Sequence, residues 1–499
     1  MQNVASNVRD DLPSLVSEVG NYVGGKWENV EAGRFPTHNP ANGQVLAELP
    51  LSSRETAHRA VCAAAAAQRG WARVSAWERA DICARLGDAV EAQKESLARL
   101  LSMEQGKPIA EAHVEVALAA HGFHMAAEQV RYMTGEIILG ATPGRQVLSR
   151  RFPRGVYAVI TPWNYPVMIP TEYLAPGVAT GNTIVWAPAP TTSLVAVALM
   201  RVLSEAGLPD GVINMVLGEG ATVGDEIVSN PGTNAIGFTG SVRTGRTISE
   251  RGAGKPMVLE LGGNGPFIVR RDADLDRAAQ AAALGAFSNS GQICAATGRV
   301  LADAAIAEQL AARIAQIAED HNLGDPLQQG TTMGPLNNKS VVQKTREHVE
   351  EAIAAGAKCL AGGKAVPEAG SDLFYAPTVL TGVTPDMRVA REETFGPVVP
   401  IISLDGDDAL LKVANDSEYG LSASIFSRDI ERALSMSAEL NAGIVNINEM
   451  TPHWETHMPF GGGSGTASGQ GRVGGRYALE AMTEPRSVSI PFPSYSAGS

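Results

Sequence analysis

The feature that most restricts the fold is a rhythm between Val156 and Val269. Short apolar runs at Val156–Ile160, Thr183–Trp186, Ile213–Leu217, Ala235–Phe238 and Pro266–Val269 alternate with stretches of helical spacing at Leu194–Glu205, Val223–Ser229 and Thr244–Arg251. Continuous apolar runs suit strands buried on both faces, and two strands running the same way need a crossover between them. The pattern predicts βαβ units, a parallel sheet and a doubly wound α/β fold, whose ligand sites lie at the carboxyl ends of strands.

The flanks extend this reading. Ala57–Gln68, Trp77–Leu101 and Ile109–Tyr132 carry helical spacing. After Glu260 the alternation restarts, with helices near Leu275–Phe287, Ala305–Ala318 and Val341–Ala355 and apolar runs Val398–Ile402, Ala423–Phe426 and Ile444–Ile447, which predicts a second α/β domain. A chain of 499 residues exceeds what one hydrophobic core supports, so two or more domains are expected. Gly461 to Gly475 is too glycine-rich and long for a simple turn, and is expected to be an ordered loop near the site or a mobile one.

A net charge of −13 argues against nucleic acid or an anionic membrane as partner and favours small-molecule chemistry. Polar Met1 to Asp11 lacks a signal-peptide core, no run has the length of a membrane span, and Cys62, Cys83, Cys294 and Cys359 form no CxxC pair. A cytoplasmic protein with reduced thiols is expected. Cys294 differs from the other three, because Ser288-Asn289-Ser290-Gly291 precedes it and small Ala295 and Ala296 follow it. That setting lets a substrate reach the sulfur, so Cys294 is read as a nucleophile.

Several separated motifs, in order, resemble those of the aldehyde dehydrogenase superfamily. They are Thr161-Pro162-Trp163-Asn164-Tyr165-Pro166, Phe238-Thr239-Gly240-Ser241, Glu260-Leu261-Gly262-Gly263, Gly291-Gln292-Ile293-Cys294, Gly324-Asp325-Pro326, Glu393-Thr394-Phe395-Gly396-Pro397, Tyr419-Gly420-Leu421 and Pro459-Phe460-Gly461-Gly462. The resemblance implies a Rossmann-type cofactor-binding domain (1–130 and 152–261), an α/β catalytic domain (262–479) and a small oligomerisation arm (131–151 and 480–499), assembled as a homodimer or homotetramer.

It also implies roles. Cys294 adds to an aldehyde, the amide of Asn164 with the backbone N–H of Cys294 holds the oxyanion, and Glu260 activates water against the thioester. An isolated glutamate would be a surface carboxylate and an isolated asparagine a turn former; the motifs around Glu260 and Asn164 reverse those readings. Gly240 to Gly245 follows a strand and opens a helix, so its amides and dipole can face a pyrophosphate. The resemblance places Thr161, Pro162, Trp163, Ala187, Pro188, Phe238, Thr239, Gly240, Ser241, Gly245, Leu261, Gly262, Glu393 and Phe395 against the cofactor.

Departures bear on that cofactor. Where relatives carry Lys-Pro-x-Glu to hold the adenine ribose, this chain reads Ala187-Pro188-Ala189-Pro190. Losing two hydrogen bonds to charged groups, each worth ~1.5–3 kcal/mol, weakens binding by tenfold or more unless Thr191, Thr192 or Arg243 compensates. NAD is expected, with NADP also admitted. Asn264 replaces a usual lysine, and the glycine loop also lacks one.

For the substrate channel the expected lining is Met168, Glu172, Phe287, Ile293, Ala295, Trp454 and Phe460. Glu172 stands where succinate-semialdehyde relatives present an arginine, which disfavours a carboxylate-bearing substrate. No metal is expected, since loop residues His453 and His457 lack a third ligand. Two alternatives stand beside oxidation of an aldehyde to its acid: a catalytically silent binding or structural member of the fold, and a glutamyl-phosphate-type reductase.

Overall fold

The computed structural model describes residues 14–16, 18–29, 33–141 and 144–492, so Met1 to Asp11 and residues 493–499 of the arm lie outside the described residues. The alternating segment forms an eight-stranded sheet in the order Gly469–Gln470, Met257–Glu260, Ala235–Thr239, Val156–Thr161, Thr183–Pro188, Ile213–Met215, Asn21–Val23, Lys26–Glu28. Its five central strands are parallel and its outer ones antiparallel. Successive side chains of a strand point to opposite faces. Tyr157, Val159, Ile184 and Trp186 accordingly join one core with Leu86, Leu174 and Leu199, whereas Val156, Ala158, Val185 and Ala187 join another with Ala57, Val61 and Ile227.

From Val156–Thr161 the chain winds out to Thr183–Pro188 and Ile213–Met215 on one side, then returns to Ala235–Thr239 on the other. At such a reversal the carboxyl ends of the two neighbouring strands, here Thr161 and Thr239, flank an open crevice. A second sheet runs Lys358–Ala361, Thr378–Thr381, Val398–Leu404, Thr297–Asp303, Gly265–Val269, Ser422–Phe426, Ile444–Ile447, parallel except for its first strand. Glu260 closes a strand of the first sheet and Gly265 opens a strand of the second. The ends of one sheet therefore meet the beginnings of the other, and Cys294, just ahead of Thr297–Asp303, lies at that junction.

Three expectations change. Gly461 to Gly475 is neither a simple turn nor a free loop: Gly469–Gln470 pairs with Met257–Glu260, and Phe460 and Val473 exchange backbone hydrogen bonds of 3.0 Å. A piece of the span 262–479 thus completes the edge of the first sheet. The helix expected over Trp77–Leu101 is two, Ala76–Ala92 and Lys94–Gln105, broken at Gln93 (φ −100°, ψ 14°). The arm is an antiparallel ribbon of Glu136–Leu139, Arg145–Pro153 and Thr483–Pro491, its middle strand running past Arg151 to Pro153. Its apolar side chains face outward, with Ile137 70% and Leu139 95% exposed. Among the described residues no helix is long and apolar enough to cross a membrane.

Candidate active site

Cys294 follows a single turn, Ser288–Gly291, in which Asn289 (φ 48°) and Ser290 (φ 54°) are both left-handed. Such residues cost of order 1–2 kcal/mol each and persist only where surroundings impose them. Here they do. Asn289 donates its N–H to Glu111 (2.9 Å), accepts from Gln105 (3.0 Å) and donates its amide to the carbonyl of Asn164 (3.0 Å), while Ser290 donates to Gly334 O (2.8 Å). The backbone also approaches closely across the junction: a Cβ on Gly263 would lie 2.2 Å from the carbonyl oxygen of Cys294.

Asn164 is buried, and its Nδ2 donates to Gln292 O at 2.9 Å. An amide nitrogen has two hydrogens, and the second has no acceptor among the described residues; nor has the backbone N–H of Cys294. The Asn164 carbonyl accepts from Lys107 Nζ (2.9 Å), which ion-pairs with Glu115 (2.5 Å), both side chains 0% exposed. Lys107 Nζ also sits 3.7 Å from the centre of the Tyr165 ring, and Glu115 accepts the N–H groups of Val167 (2.8 Å) and Met168 (3.2 Å). A buried ion pair thus grips Asn164 to Met168, the stretch that presents the amide. Sequence reasoning missed Lys107, Glu115 and Asn289; the available signal was Gly106-Lys107-Pro108, an unexplained cation between two helices.

Three carboxyls bear electrostatically on the thiol. Glu260, at a strand end, is 2% exposed, and neither of its oxygens has a hydrogen-bond partner among the described residues. Burial first, then Glu172, hold its carboxyl well above the usual range, with Arg472 opposing. Burial pushes Glu172 up to about 8. The Cys294 thiol is raised by burial and then by Glu393, Glu260 and Glu172, while the Ala295 N–H opposes.

The cofactor candidates gather at the crevice of the first sheet. Thr161 Oγ1 accepts from the Trp186 indole (2.9 Å), and Thr239 Oγ1 lies 2.8 Å from the Tyr173 hydroxyl. Ser241 caps the helix Val242–Arg251 by accepting from Thr244 N–H. Added Cβ atoms would come 2.5 Å from the Phe238 ring at Gly240 and 2.6 Å from Leu261 at Gly245, so both glycines allow close packing beside that helix start. Trp163, after Pro162, meets Phe395 edge-on at 5.5 Å. One oxygen of Glu393 accepts the Gly263 N–H (3.0 Å) and the other lies against Gly262, where a Cβ would come within 2.9 Å.

Ala187 and Pro188 end their strand buried. Of the proposed compensators, Thr192 is 0% exposed with its hydroxyl unbonded among the described residues, whereas Thr191 and Arg243 are exposed. Asn264 donates to Ala390 O (2.9 Å), and its own Oδ1 is buried without a partner.

Met168, Glu172 and Trp454 line one crevice, and Phe460 packs edge-on to Trp454 at 5.4 Å. Half-buried Ile293 and buried Ala295 flank the cysteine, Ala295 tied through its carbonyl to Ser422 (3.2 Å). Phe287 does not join them. It is 1% exposed, belongs to the core beneath Leu275–Phe287 and touches a separate crevice with His321, because the left-handed turn that follows redirects the chain away from it.

The model of the aldehyde dehydrogenase family matches residues 27–488. The 3-sulfolactaldehyde dehydrogenase of Pseudomonas putida is 38% identical over 96% of this chain and 98% of its own length. The NADP-dependent succinate-semialdehyde dehydrogenase of Escherichia coli (strain K12) is 37% identical over 94% and 97%. The crystal structure of an NAD-dependent aldehyde dehydrogenase from Sinorhizobium meliloti superposes with a TM-score of 0.92 at 36% identity, covering 97% of this chain and 98% of that one. Two winding sheets that meet at a cysteine, and matches spanning nearly the full length of both partners, lead to one conclusion: the chain belongs to the aldehyde dehydrogenase family.

Proposed function

We propose that the chain oxidises an aldehyde to its carboxylic acid through a thioester on Cys294. The observation that carries this is the meeting of one half-buried thiol with the unengaged N–H groups of Asn164 and Cys294 and the unbonded carboxyl of Glu260. The thiolate adds to the carbonyl carbon, and the resulting oxyanion is held by the Asn164 Nδ2–H and the Cys294 N–H. A nicotinamide held in the crevice would supply the hydride acceptor and the positive charge that a thiol facing Glu172, Glu260 and Glu393 lacks. Glu260 then takes a proton from water, the water oxygen adds to the thioester carbon, and Cys294 leaves as thiolate.

The residues fit such a dinucleotide. The start of Val242–Arg251 can receive phosphate, and Glu393 keeps one oxygen off Gly263 for a ribose hydroxyl. Ala187 and Pro188 supply neither a lysine to attract a 2′-phosphate nor a glutamate to repel one. Both NAD and NADP therefore fit, with NAD the reading adopted. The relatives divide in the same way, one named for NADP and one structure for NAD. Glu260 distinguishes hydrolysis from a glutamyl-phosphate-type reductase, which needs no water-activating carboxylate, and the intact trio argues against a silent member.

The domain division 1–130 with 152–261, 262–479, and 131–151 with 480–499 is part of this proposal, as is a cytoplasmic homodimer or homotetramer in which the outward apolar ribbon is covered by another copy. The test is rapid-mixing kinetics with an aldehyde panel. Wild type turns over; Glu260→Gln gives a burst of about one reduced nicotinamide per active site and then stalls; Cys294→Ala gives none. Steady turnover by Cys294→Ala would refute the assignment.

A further inference from the structure

Resting on the dehydrogenase reading above, we infer that the substrate is an uncharged aldehyde with an apolar body and a hydroxyl at its far end, which Glu172 selects by hydrogen bonding. The carrier of this inference is the crevice between the helices Ile109–Val130 and Met168–Thr180. Its walls include Leu118, Met125, Met168, Pro176 and Trp454, and Glu172 is its sole ionisable lining residue. The hydroxyl of Thr171 is already committed to the carbonyls of Met168 (2.6 Å) and Val167 (3.0 Å).

Glu172 has no hydrogen bond or ion pair among the described residues. It is half-buried and lines the crevice, and a lone ionisable group among apolar walls is what fixes the orientation of a ligand in such a pocket. Burial holds its carboxyl at about 8, with no cation opposing, so at neutral pH it is mostly protonated and can both donate and accept. A hydroxyl group has the same two capacities.

The other far ends fit less well. The Pseudomonas and Escherichia relatives are named for aldehydes that end in sulfonate or carboxylate. Here no lysine, arginine or histidine lines the crevice, and Glu172, Glu260 and Glu393 already bear together on the Cys294 thiol, so an anion would be buried unpaired among carboxyls. An ammonium would have to shed its water among leucine, methionine and proline and first strip the proton from Glu172.

The test compares kcat/KM for benzaldehyde, 3- and 4-hydroxybenzaldehyde, 4-carboxybenzaldehyde and 4-(trimethylammonio)benzaldehyde at saturating NAD or NADP. Wild type is expected to favour the better hydroxybenzaldehyde over benzaldehyde by about tenfold or more, the value of one buried hydrogen bond. In Glu172→Leu that ratio should fall to about 1, and Glu172→Gln, which can still donate and accept, should keep most of it. Because a ratio is read, partial loss of folded enzyme cancels. Preference for the carboxylate or ammonium compound, or an unchanged ratio in Glu172→Leu, overturns this inference alone. No turnover with any aldehyde overturns the dehydrogenase reading, and this inference with it.

Discussion

Lys107 touches no substrate in the proposed reaction, yet its replacement by methionine should damage both stability and turnover. The substitution keeps most of the stem and removes Nζ, which ends the 2.5 Å pair with Glu115, the 2.9 Å bond to Asn164 O and the contact with the Tyr165 ring. Both side chains are fully buried, so Glu115 is left as an uncompensated charge, and breaking one side of such a pair costs about 3–5 kcal/mol. The Asn164 carbonyl retains only Asn289 as a donor. A misplaced oxyanion donor costs up to about 10²-fold in kcat, whereas the dinucleotide crevice at Thr161 and Thr239 is not gripped by this pair. Lys107→Met should therefore lower kcat strongly and leave the cofactor KM within about threefold. Adding Glu115→Gln removes the buried charge while keeping an acceptor for the Val167 and Met168 N–H groups, so the double variant should regain at least half of the lost stability. The assays are denaturant midpoints at one fixed protein concentration, with steady-state kinetics on the same samples. If Lys107→Met lies within about 1 kcal/mol of wild type with kcat within twofold, the clamp plays no part in holding Asn164.

Two further outcomes follow from buried acids. Cys294 and Glu260 both act deprotonated and are both held above their ordinary ranges, so kcat/KM should climb between about pH 6 and 9. A profile flat or falling over that range would contradict the roles given them. Glu104 is buried, accepts from Thr37 and from the Leu194 and Val195 N–H groups at the start of Ser193–Glu205, and burial pushes its carboxyl up to about 7. A carboxyl raised in the folded state stabilises the fold below its unfolded value, near 4.5, and loses that contribution as pH rises towards 7. Wild type should thus lose about 3 kcal/mol relative to Glu104→Gln between those pH values, read as the difference of their unfolding midpoints. Equal slopes for the two proteins would show that this acid does not titrate in the fold.

The sequence made legible whatever rests on local periodicity. Leu275–Phe287 and Ile444–Ile447 are observed at their expected bounds, because the first buries one face at helical spacing and the second alternates in burial as a strand does. Met168–Thr180 escaped notice because Pro170 and Pro176 argue against a helix. Pro170 lies in the first turn, where no N–H is needed, and Pro176 is carried by tertiary burial of the whole segment. The break at Gln93 has no proline or glycine to announce it. At the site, motifs identified the groups proposed to meet the substrate, since chemistry constrains residue type: a thiol, an amide and a carboxyl have few substitutes. They did not reveal what aims those groups. Lys107, Glu115 and Asn289 act through buried contacts between segments far apart in the chain, such as the 3.0 Å bond from Asn289 to Asn164, and no local pattern encodes a distance across 125 residues. Phe287 failed for a related reason, since two left-handed residues after it turn the chain away and nothing in Phe-Ser-Asn-Ser-Gly demands that conformation. The support for a reactive loop is therefore the part of a site that needs coordinates. A deletion of Glu115, invisible to motif matching, should be felt at the oxyanion as surely as a change at Asn164 itself.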